Sequence, residues 1–197
     1  MKVGLTSFLV AALVAFLLGP VIIPLLRILR FGQRVRTDGP RAHLSKAGTP
    51  TMGGLMFLLA ITIAILLGGP VPLEVYLALA VTMAYGLVGF ADDFIKVALG
   101  RSLGLKARYK LIAQIGLGLI MGIFAIKMAG RGTLVPLFFS DQSLEMGSFY
   151  PFFAVLVLVC TTNAVNLTDG LDGLAAGTTL IAAAAYFFIA LWQDQTG

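Results

Sequence analysis

Two short stretches of this chain place acidic and amide side chains at the edge of very apolar sequence: FADDFIK (90–96) and NAVNLTDGLDGLA (163–175). Asp92 and Asp93 are adjacent, and on a helix their side chains diverge by about 100°. One can therefore hold a metal while the other faces an attacking group. Lys96 follows Asp92 by four residues and shares its helix face. In the second stretch Asn163, Asn166, Asp169 and Asp172 recur every third residue. Neighbours at that interval share a face, although a straight α-helix drifts by about 60° at each step. Gly170 and Gly173 let the backbone leave helical geometry, which would turn amides and carboxylates toward one bound molecule. Carboxylates among lysines suit Mg²⁺ and phosphate: hard oxygens hold the metal and the ammonium groups neutralise the rest. The plainer readings are a solvated helix end with an i,i+4 ion pair for FADDFIK, and a capped terminus for the second stretch. Four polar groups in eleven residues exceed what capping needs.

A third stretch, RTDGPRAHLSKAGTPTMGG (36–54), joins basic groups, a turn, the only histidine (His43), Lys46 and a Gly/Thr-rich helix start. It lacks the GK[ST] ending of a phosphate-binding P-loop. Gly53 and Gly54 are expected to allow close helix contact, as is the GxxxG pattern of GLIMG (118–122). The single Cys160 excludes an internal disulfide, has no metal-ligand spacing, and reads as a packing residue.

The elements that position these groups must lie in a bilayer. The 197 residues are 59% hydrophobic and 12% charged, far from the balance of a soluble domain. Charge-free runs predict about six spanning helices, at roughly 3–26, 52–67, up to 91, 110–127, 151–168 and 174–192. The fold class expected is all-α: a polytopic membrane bundle forming one domain over 1–197. Pro20 and Pro24 should bend the first helix, GGPVP (68–72) is a tight turn, and residues 130–150 suit a small extracytoplasmic hairpin. The first apolar run is too long for a cleavable signal peptide. Eleven of the fourteen basic residues fall in the loops after the first and third helices. By the positive-inside rule these loops are cytoplasmic and the N-terminus is outside. The connection carrying NAVNLTDGLDG then faces the cytoplasm too. The net charge of +5 reflects this topology, and no nucleic-acid partner is expected, because no aromatic-interleaved basic surface exists outside these loops.

In this order and spacing, RTDGPRAHLSKAGTPTMGG, FADDFIK, LKARYK and NAVNLTDGLDGLA resemble the phospho-N-acetylmuramoyl-pentapeptide transferases, members of the polyprenyl-phosphate N-acetylhexosamine-1-phosphate transferase superfamily. The resemblance covers essentially the whole chain. It implies a Mg²⁺-dependent enzyme of the bacterial cytoplasmic membrane that acts in peptidoglycan synthesis. Such an enzyme moves phospho-MurNAc-pentapeptide from UDP-MurNAc-pentapeptide to undecaprenyl phosphate, giving lipid I and UMP. It further implies that Asp92 and Asp93 are catalytic and that Asp92, Asp93 and Asp172 serve the metal. Lys96, Lys110, Asn166, Asp169, Asp172, His43 and Lys46 would bind substrate. A homodimer is left open. The resemblance also implies more spanning helices than the six read here, so the chain is expected to lack C-terminal helices and to be inactive by itself. A transporter would place carboxylates near the bilayer midplane rather than at helix ends, and a non-catalytic scaffold would need none of these motifs.

Overall fold

A computed structural model describes residues 2–29, 50–100, 103–127, 132–137 and 142–196. Six α-helices account for most of them: α1 (Lys2–Ile28), α2 (Gly54–Leu67), α3 (Leu73–Ala98), α4 (Ala107–Lys127), α5 (Tyr150–Thr168) and α6 (Leu174–Thr196). Between α4 and α5 lie β1 (Leu134–Pro136) and β2 (Ser143–Glu145), an antiparallel pair that registers Val135 against Leu144. This is the hairpin expected within 130–150. A helix satisfies its own backbone groups, which is why apolar runs of this length take that form in lipid. Five of the six are long and apolar enough to cross a membrane. The exception, α2, has 14 residues and rises only about 21 Å, short of the roughly 30 Å of a hydrocarbon core.

The inside of the bundle is thin. Among the described residues its buried apolar members are Leu26, Met52, Ala60 and Ala64, while the larger Leu, Ile and Phe side chains mostly face outward. That inversion is what lipid permits: with no water to escape, helices associate through small residues and polar contacts. Two small-residue seams carry the packing. Ala60 and Ala64, one turn apart on α2, are 2% exposed, and the main neighbour of α2 is α1. Gly118 and Gly122 on α4 are buried. A Cβ at Gly122 would stand 2.7 Å from Pro151 Cα, and one at Gly118 3.1 Å from Val155 Cα. The GLIMG stretch is thus the surface on which α4 receives α5. α1 runs on through Pro20 and Pro24 without a break.

Two expectations about packing are corrected. Added Cβ atoms at Gly53 and Gly54 would meet nothing within 4 Å: the two stand at the very start of α2, before its close contacts with neighbouring helices begin. Cys160 is exposed: α5 meets the glycines of α4 through the side that carries Pro151 and Val155, and Cys160 points away from it.

Polar groups finish the assembly. Tyr85 on α3 donates to the Gln114 carbonyl at 2.8 Å. On α5, Asn163 Nδ2 donates to Gln114 Oε1 at 2.9 Å and also to its own helix at Val159 O, 2.8 Å. Gln114 Nε2 reaches Thr162 Oγ1 at 3.4 Å. Gln114 is 4% exposed, so three helices converge on one buried residue.

Candidate active site

α3 ends in the acidic pair. Lys96 Nζ lies 2.7 Å from Asp92 Oδ2 and 2.7 Å from Asp93 Oδ1. One ammonium therefore bridges two carboxylates that diverge around the helix, the i+4 and i+3 spacings making this possible. The remaining oxygens find donors from outside the helix. The Leu105 backbone N–H donates to Asp92 Oδ1 at 2.9 Å, and Thr51 Oγ1 donates to Asp93 Oδ2 at 2.9 Å. All four carboxylate oxygens thus accept a hydrogen bond. The pair is not symmetric: the Asp92 side chain is 12% exposed and that of Asp93 31%.

At the start of α4, Lys110 Nζ donates to Asn166 Oδ1 on α5 at 2.8 Å. α4 and α5 run antiparallel, so the Gln114–Asn163 contact one turn deeper fixes the register that brings Lys110 to Asn166. α5 stays helical through Thr168, and a turn over 169–173 follows, with Gly173 at φ +79°, where glycine has no steric penalty. Asp169 and Asp172 are exposed on this turn.

The structure therefore separates residues that an equal spacing of three suggested would act together. Asn163 belongs to the helix–helix contact with Gln114. Asn166 pairs with a cation, and the two aspartates lie beyond the helix end. Asp92, Asp93 and Lys96 come together; Lys110 and Asn166 come together. Among the described residues no three acidic, histidine or cysteine side chains form a metal-binding group in this structure. α5 rests on α4 and α4 on α3. His43 and Lys46 lie outside the described residues.

Mg²⁺ is commonly held by one or two carboxylates, with waters and phosphate oxygens filling its octahedron. Asp92 and Asp93 are donors of that class. Of the two, Asp93 is the more open and would be the readier to hold such an ion.

Thr51, Leu105, Tyr85 and Gln114 are participants that spacing did not single out. A lone amide such as Gln114 inside an apolar helix is a legible signal, because intramembrane polar groups are costly. Thr51 sits in the quoted GTPTMGG run. The Leu105 contribution is a backbone N–H, which no side-chain pattern reports.

Fold and site together describe a multi-pass membrane protein with a lysine- and carboxylate-rich end. Residues 75–197 match the Glycosyl transferase family 4, and residues 46–58 match the Phospho-N-acetylmuramoyl-pentapeptide-transferase signature 1. The chain belongs to glycosyl transferase family 4. Curated relatives bear the name phospho-N-acetylmuramoyl-pentapeptide-transferase. One from Desulfitobacterium hafniense is 51% identical over 195 residues, covering 96% of this chain and 58% of that protein. Another from Moorella thermoacetica is 50% identical over 193 residues, 98% of this chain and 60% of that protein. A third, from Desulforamulus reducens, is 49% identical, with 95% and 58% covered. The chain thus spans somewhat less than two thirds of the length of these relatives.

Proposed function

We propose that the full-length protein transfers phospho-MurNAc-pentapeptide from UDP-MurNAc-pentapeptide to undecaprenyl phosphate, forming lipid I and UMP at the cytoplasmic face of the bacterial inner membrane. The observation that carries this reading is the Asp92–Lys96–Asp93 cluster at a helix end. Its near-50% identity to the named transferases supports the substrate assignment.

Phosphoryl transfer asks a protein mainly for positioning and charge neutralisation. Here an anionic lipid phosphate must approach an anionic diphosphate. Lys96 and Lys110 supply cationic donors toward phosphate oxygens. Asn166, Asp169 and Asp172 line the nucleotide-sugar side, and His43 and Lys46 add to its binding. Asp92 and Asp93 do the acid–base and metal work, with Asp93 turned the more toward substrate. Asp93, Asp92 and Asp172 are the residues that would hold Mg²⁺, which when bound supplies positive charge to the diphosphate oxygens.

The test is UMP release in the membrane-inserted, full-length protein. Asp92→Asn and Asp93→Asn should each lower turnover at least about a hundredfold, since general acid–base catalysis alone is worth about 10²–10⁴. Near-normal turnover in both variants would overturn the assignment.

A further inference from the structure

We propose that Gly104 and the backbone N–H of Leu105 position Asp92, holding it as the fixed partner of Lys96 and leaving Asp93 as the carboxylate that meets substrate. The inference rests on the transferase reading above.

Three observations carry it. Asp92 is 8% exposed and is one of two buried polar residues among those described. Its Oδ1 accepts from Leu105 N at 2.9 Å while its Oδ2 accepts from Lys96 Nζ at 2.7 Å, so each oxygen is held from a different direction. Gly104, itself buried, lies directly against this carboxylate. A Cβ there would stand 2.7 Å from Asp92 Cγ, and closer still to Oδ1 and to the Asp92 backbone carbonyl. The carbonyl belongs to α3 and cannot rotate away, so only a residue without a side chain lets the loop come this near. The demand at Gly104 is for space; it has no need of a left-handed backbone.

The contrast with Asp93 gives the contact its purpose. Asp93 is held outside its own helix by the Thr51 hydroxyl, a donor on a rotatable side chain, and is more than twice as exposed as Asp92. A backbone N–H already aimed at a carboxylate needs no reorganisation during reaction. Through Asp92 it also fixes where Lys96 can stand. A displacement of about 1 Å in such a group can cost about 10²-fold in rate. Gly104 and Leu105 act through Asp92 and are positioning residues.

The experiment compares the full-length protein with its Gly104→Ala variant, measuring kcat and KM for UMP release and the Kd for UMP alone. The expected result is a kcat at least tenfold lower, with the KM for the UDP-linked substrate and the UMP Kd within twofold. A role in overall packing would instead raise KM and Kd together with the loss of kcat, and that pattern overturns the proposal, as does an unchanged kcat. Amide hydrogen exchange tests the contact without reference to activity. In Asp92→Ala, exchange at Leu105 should speed up at least tenfold relative to the unmutated protein, and equal protection would overturn the clamp even if Gly104→Ala failed to fold. If the unmutated protein releases no UMP, the transferase reading fails, while the exchange result still decides whether residues 104–105 grip Asp92.

Discussion

At the end of α3, Asp92 and Asp93 are held by Lys96, by a loop N–H and by Thr51. At the end of α5, Asn166 has one cross-helix partner in Lys110, and Asp169 and Asp172 stand exposed on a turn. The residue types are alike and both regions close an apolar helix. Their supports differ. The α3 end is covered by the 103–106 segment and by the chain entering α2, whereas the α5 end runs into α6, whose described side chains are almost all exposed. A group already fixed by its own chain suits chemistry that punishes small displacements. A group exposed on a turn is open to direct contact with a ligand.

The largest expected effect is all-or-none and tests whether the two ends belong to one site. In a Cys160→Ala background, Leu103→Cys and Leu171→Cys should both be shielded from an impermeant thiol reagent in intact cells, while Ser143→Cys in the hairpin is labelled. The asymmetry of basic residues between loops motivates this. Opposite labelling of positions 103 and 171 would break the pairing of the two regions.

The next effect separates their roles. Asp169→Asn and Asp172→Asn should raise the KM for the UDP-linked substrate about tenfold and lower kcat less than Asp93→Asn does. Loss of a contact made equally in ground and transition states appears in KM, and loss of one made only in the transition state appears in kcat. An Asp169→Asn variant with unchanged KM and a hundredfold lower kcat would erase the distinction. The smallest effect concerns the support of the α5 end. Gln114→Leu removes the partners of Asn163 and Thr162 and should cost about 1 kcal/mol, since interhelical hydrogen bonds in membranes average about 0.6 and reach about 1.7 kcal/mol. Thermal unfolding in detergent checks it, and an unchanged Tm would show that Asn163 does not hold α5 in register.

Much of this protein was legible as sequence because membrane helices are specified locally. A run of apolar residues long enough to span must satisfy its own backbone, so the helices, the turn at 68–72, the hairpin and the packing role of GLIMG follow from composition and spacing. The Asp92–Lys96 and Asp93–Lys96 pairs were readable for the same reason, since both partners sit on one helix. What the tertiary structure alone decided is how residues distant in sequence divide the work. Asn163 and Asn166 look equivalent by spacing, yet helix geometry and the α4 register send one to Gln114 and the other to Lys110. Asp92 and Asp93 are neighbours with the same chemistry, yet one is buried under a loop backbone and the other stays half open. Thr51 and Leu105 meet the pair across 42 and 13 residues of chain. Such contacts depend on where whole helices come to rest, and a backbone N–H or an absent Cβ leaves no side-chain pattern by which a sequence could announce them.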